Sequence, residues 1–146
     1  MVVAYAYFDT SALITRYINE SGRREVLQLL RKNDCVVSAV LPVEIRSALR
    51  RRVAEGSLRH PASRRNRETR HRRAFWTVVK VSGEVLAAAE TLSAGHPLRA
   101  LDAIHVASAQ LFAARVVSSA LIFVSAGIRQ TTAAAALGMA IRQIES

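Results

Sequence analysis

Apolar and polar positions divide the chain into short β-type runs separated by longer helical ones. Tyr5–Phe8 is a short apolar run ending in Asp9-Thr10-Ser11, and a helical pattern follows over residues 12–18. Residues 23–31 carry apolar side chains at Val26, Leu27, Leu29 and Leu30, the spacing of an amphipathic helix. Residues 35–40 are rich in β-branched side chains and predict a second strand; Pro42 then stands at a first helical position before a helix to about residue 54. A further helix is expected over residues 64–75 and a strand over 76–81. Ser82 is a suitable N-cap for a helix through Leu92 that Gly95 stops, and His96-Pro97 opens another reaching about residue 114. The remainder predicts a strand over 120–125, a helix over 131–137 and a fifth strand over 139–144. Strands alternating with helices indicate an α/β three-layer sandwich around a central, mainly parallel five-stranded sheet. No linker or repeat divides the chain, so residues 1–146 are expected to form one domain.

Composition narrows the class. The chain has 146 residues, of which 51% are hydrophobic, enough for a buried core and too many for a disordered basic tail. Its only cysteine, Cys35, lies in an apolar run and excludes both an internal disulfide and a cysteine-rich zinc site. No stretch approaches the roughly 20 apolar residues of a membrane span, and the N-terminus lacks the charged start of a signal peptide; the expected compartment is the cytoplasm, with no membrane partner.

The formal net charge is +10, and it is concentrated. Positions 46–73 hold eleven Arg against Glu55 and Glu68, for +9, while the rest of the chain sums to +1. This Arg-rich helical segment suits an anionic partner as well as it suits a solvated helix face. The acids repay closer reading. Of three Asp, Asp34 looks like a turn residue, whereas Asp9 and Asp102 have apolar neighbours. Asp9 follows the first strand, Glu44 stands in the first turn after the second, and Asp102 lies early in the helix after Pro97. Glu44 and Asp102 suit helix N-termini, where a carboxylate meets the positive end of the helix dipole. If the three converge, repulsion raises their pKa values unless a divalent cation neutralises them, and oxygen donors without a Cys or His cluster favour Mg²⁺ or Mn²⁺ over Zn²⁺.

Three segments, in this order, carry a family resemblance: Phe8-Asp9-Thr10-Ser11-Ala12-Leu13, Val43-Glu44-Ile45-Arg46-Ser47-Ala48-Leu49, and the run from Leu98 to Ala109 that contains Leu101-Asp102-Ala103-Ile104-His105. They resemble the motifs of PIN-domain ribonucleases, and within these the chain is most similar to the VapC-type toxins of toxin–antitoxin pairs. The resemblance implies that Asp9, Glu44 and Asp102 hold Mg²⁺ or Mn²⁺ and activate water to cut an RNA phosphodiester bond. It also implies a homodimer inhibited by a cognate antitoxin. The family usually adds a fourth acid after its fourth strand, where this chain has Gly127, with Ser125 supplying a hydroxyl nearby. That departure favours one tightly held metal over two, and makes a PIN scaffold that binds RNA or an acidic partner without turnover the rival expectation. Thr10, Ser11, Arg46, Arg50, Arg99 and Ser125 are the expected substrate contacts. His105, three residues after Asp102, reads better as a hydrogen-bonded core histidine than as a catalytic one. An aspartyl phosphatase fits poorly, because Ser11 stands where the second Asp of that chemistry belongs.

Overall fold

The computed structural model describes residues 4–18, 21–57, 76–116 and 120–145. Among the described residues, five strands and six helices follow in the order β1 (Tyr5–Phe8), α1 (Thr10–Ile14), α2 (Arg23–Lys32), β2 (Asp34–Ser38), α3 (Leu41–Ala54), β3 (Thr77–Val79), α4 (Gly83–Gly95), α5 (Ala100–Arg115), β4 (Leu121–Ser125), α6 (Ile128–Ala136) and β5 (Ala140–Gln143). The helix expected over residues 64–75 lies outside the described residues, as do the seven Arg of the basic segment beyond α3.

All strand pairs are parallel, in the order β3-β2-β1-β4-β5. The side-chain period of two sorts each strand between two cores. Ala6 and Phe8 of β1, Cys35 and Val37 of β2, and Val124 of β4 join a cluster with Leu13, Val26, Leu29, Leu41, Ile45 and Leu49 from α1, α2 and α3. Tyr7, Val36, Leu121 and Phe123 face the other way, onto Val85, Ala89 and Leu92 of α4, Ala103, Val106 and Ala107 of α5, and Ala133 and Ala134 of α6. The result is the expected three-layer α/β arrangement. Tyr7 and Phe123 stack across β1 and β4 with centroids 5.6 Å apart and ring planes within 6°.

The chain leaves β1 toward β2 and β3, then returns to the other side of β1 for β4 and β5. The sheet therefore reverses direction between β1 and β4, and their carboxyl ends flank the crevice where open α/β sheets take ligands. Asp9 follows β1 directly, and its backbone N–H bonds Val124 O of β4 at 3.1 Å.

Helix starts differ from the sequence pattern in an informative way. The first helix occupies residues 10–14 and not 12–18, because Asp9 is its N-cap and accepts from Ala12 N. The fourth-sheet-strand crossover helix α5 opens at Ala100 and not at Pro97, with Arg99 as N-cap. α6 begins at residue 128, three positions before the expected 131, capped by Gly127. In each case a residue weighed for its chemistry also sets where a helix begins.

Candidate active site

Four helix starts meet above the carboxyl ends of β1 and β4. They bring Asp9, Glu44 and Asp102 to the wall of one cleft of about 720 Å³, with Thr10, Ser11, Val43, Arg51, Arg99, His105 and Gln130 also lining it.

Asp9 is 2% exposed and accepts three hydrogen bonds. Ser11 Oγ (2.6 Å) and Ala12 N (3.1 Å) donate to Oδ1, and Ser125 Oγ (2.5 Å) donates to Oδ2. Burial raises the Asp9 pKa; nearby His105 and these donors pull against that rise without cancelling it. Asp9 is thus a carboxylate whose ionised form is costly in this buried setting.

Glu44 has the opposite balance. Burial raises its pKa, but His105 and the Thr10 hydroxyl together outweigh burial and hold it below the usual value. His105 Nε2 donates to Glu44 Oε1 at 2.6 Å and Thr10 Oγ1 donates to the same oxygen at 2.8 Å. On the other edge of the ring, Nδ1 lies 2.8 Å from Tyr7 Oη. Burial, and then the charge of Asp9, push the Tyr7 phenol well above its ordinary pKa, so Tyr7 keeps its proton. The ring is thus held at both nitrogens, by Glu44 on one edge and Tyr7 on the other, which fixes its orientation. His105 is a buried, hydrogen-bonded histidine as its apolar neighbours suggest, and it also orients a site carboxylate.

Asp102 is half-buried at the third position of α5. Its Oδ2 accepts from the N-cap Arg99 N at 3.4 Å and its Oδ1 from Gln130 Nε2 at 2.8 Å.

The remaining expected contacts separate. Thr10, Ser11 and Arg99 line the cleft. Ser125 is fully buried, and its hydroxyl holds Asp9 and accepts from Gly127 N at 2.9 Å, which makes it a support of the acid with no face toward a substrate. Arg46 and Arg50 are exposed on α3 but lie outside the cleft lining, because the face that carries Glu44 continues through Ser47, Ala48 and Arg51. Arg51, seven residues after Glu44, is the arginine that helical spacing could have selected. Gln130 had no signal of its own as an isolated polar residue.

Among the described residues, no three His, Cys, Asp or Glu side chains form a ready-made metal cage. The donor set nevertheless fits a hard cation in its chemistry. Both hydrogen bonds to Glu44 fall on Oε1, and Asp9 Oδ2 accepts one bond, so each acid retains oxygen capacity at the cleft. Mg²⁺ and Mn²⁺ are commonly held by one or two carboxylates, with water and phosphate oxygens completing the shell.

The family model described as "PIN domain" matches residues 6–120. A comparison with curated proteins finds no match. Among solved structures, the chain is similar to a chain of a toxin–antitoxin complex from Klebsiella pneumoniae, with 22% identity, a TM-score of 0.62, and 86% of this chain and 88% of the other covered. It is similar to a chain of VapBC2 from Rickettsia felis bound to a DNA fragment from the promoter, at 10% identity and a TM-score of 0.63, covering 97% and 99%. DNA-bound VapBC from Salmonella typhimurium gives 16% identity and a TM-score of 0.58, covering 98% of both chains.

Proposed function

The chain belongs to the PIN domain family, and from that premise we propose that it is a metal-dependent endoribonuclease acting as the toxin of a toxin–antitoxin pair. The observation that carries this reading is the meeting of Asp9, Glu44 and Asp102 on one cleft at the switch point of a parallel sheet.

When bound, Mg²⁺ or Mn²⁺ supplies Lewis-acid stabilisation of charge on the phosphate and eases deprotonation of the attacking water. Asp9, Glu44 and Asp102 provide the carboxylate oxygens that hold it. Ser11, Ser125 and the Ala12 amide fix the plane of Asp9. His105 and Thr10 keep Glu44 ionised and pointed from α3 toward the cleft. Arg51 and Arg99 bring positive charge to the same wall, where the RNA phosphates flanking the scissile bond would lie. Arg46 and Arg50, exposed on α3, extend that positive surface beyond the cleft.

The expected assembly is a homodimer in the cytoplasm, restrained by an antitoxin whose acidic and aromatic side chains complement the basic rim. The test incubates the purified chain, free of any partner, with structured RNAs in Mg²⁺, in Mn²⁺ and in chelator. Metal-dependent cleavage that Asp9→Asn abolishes is the expected result. Binding with a steep salt dependence but no cleavage above the Asp9→Asn control would replace this reading with that of an RNA-binding scaffold.

A further inference from the structure

α6 begins at a glycine whose backbone does not require one. Gly127 has φ −88° and ψ 123°, extended backbone open to any L residue. What a side chain there would displace is the flexible end of Gln130. A Cβ at position 127 would stand 2.6 Å from Gln130 Nε2 and overlap Oε1 and Cδ of the same amide.

Gln130 occupies the third position of α6, from which Glu or Gln ordinarily folds back onto the N–H of the N-cap. In this helix that N–H is already bonded to Ser125 Oγ at 2.9 Å. The amide therefore passes over the bare Cα of Gly127 and donates to Asp102 Oδ1 at 2.8 Å. Asp102 Oδ2 is held by its own helix start, through Arg99 N. One oxygen is thus tied to α5 and the other to α6, and the two ties together set how the carboxylate meets the cleft.

We propose that Gln130 is a positioning residue for Asp102, and that position 127 is glycine so that the Gln130 amide has room to reach it. Gln130 acts only through Asp102. The metal-binding consequence rests on the nuclease reading above, whereas the link between Gly127, Gln130 and Asp102 does not.

The experiment is a double-mutant cycle of Gly127→Ala, Gln130→Ala and the double variant. Each protein is melted in chelator and titrated with Mn²⁺ in a calorimeter. Loss of a partner that orients a metal-holding carboxylate typically weakens metal affinity by about 10- to 100-fold. Gln130→Ala is expected to lose Mn²⁺ affinity on that scale, and Gly127→Ala to do nearly the same by pushing the amide aside. In the Gln130→Ala background, Gly127→Ala should leave Mn²⁺ affinity unchanged. Additive effects, or a Gly127→Ala variant that binds and melts like the original chain, would overturn the proposal. If the original chain and Asp9→Asn bind Mn²⁺ equally poorly, the metal reading fails instead. The melts in chelator then decide the role of Gln130 alone: coupling supports it and additivity refutes it.

Discussion

Replacing Asp9 by Asn should stabilise the metal-free fold at neutral pH while abolishing its activity. The carboxylate is buried, and its pKa is raised above the ordinary 3.8, chiefly by burial. A folded state that binds the proton more tightly than the unfolded one loses stability as pH rises from the unfolded pKa through the folded pKa. At neutral pH the penalty is fully present in the native chain, and each unit of displacement corresponds to about 1.4 kcal/mol. Asn carries no such penalty, and the local network can accommodate it. Ser11 Oγ and Ala12 N can still donate to Oδ1. The new Nδ2 can donate to Ser125 Oγ, whose proton can turn to Ser11 Oγ, 3.2 Å away. A gain in stability is therefore expected in urea melts at pH 7.5 in chelator, shrinking as pH falls toward 3.8. An Asp9→Asn variant less stable than the original at pH 7.5, or one whose gain does not change with pH, would refute the assignment of Asp9 as a strained, buried acid. Added Mg²⁺ should reverse the order, because it stabilises only the chain that can bind it.

Glu44→Gln should behave oppositely: the pKa of Glu44 is lowered, so its ionised form contributes stability above the unfolded value, and that contribution fades as pH falls through the folded pKa. The variant should lose about 1 kcal/mol at neutral pH in chelator, with the loss closing in acid, as read by the same melts. Phe123→Ala removes a fully buried ring stacked on Tyr7 and should cost about 3–5 kcal/mol in urea unfolding. Cys35 is buried and its thiol pKa is pushed up mainly by that burial, so iodoacetamide should leave it unmodified in the native chain at pH 8 and alkylate it in urea. Arg51→Ala should lower the salt slope of RNA binding by about one unit if Arg51 meets a phosphate from its place in the cleft wall.

Periodicity carries most of the fold because the three central strands, β2, β1 and β4, are buried on both faces. Runs such as Tyr5–Phe8 and Leu121 to Val124 are apolar throughout, and the helices between them alternate with the required phase. The helix starts were less legible. Asp9, Arg99 and Gly127 end one element and begin the next, and whether such a residue caps a helix depends on partners distant in sequence. Asp9 and Asp102 could be picked out because a carboxylate among apolar neighbours needs a reason, and Glu44 because it stands in the first turn of a helix. The residues that hold them could not. Ser125 and Gln130 reach Asp9 and Asp102 across 116 and 28 positions, distances at which no local spacing rule operates. His105 stood in view as a neighbour of Asp102 on its helix, yet its partners are Glu44 and Tyr7, from α3 and β1.

Each acid of the site is also a structural element of a helix start. Asp9 caps α1 through Ala12 N, Asp102 accepts from the N-cap of α5, and Glu44 lies in the first turn of α3. The N–H groups at these starts supply donors and partial positive charge, which lets three carboxylates share a cleft before any cation arrives. A cation held by these carboxylates would draw on the same groups that begin the helices. A fourth acid at position 127 would find its space filled by the Gln130 amide. Gly127→Asp alone would displace Gln130 and release Asp102 while adding a charge. Only Gly127→Asp combined with Gln130→Ala separates the effect of the missing carboxylate from that of the lost support, and a second equivalent of Mn²⁺ bound by that double variant would assign the difference to charge.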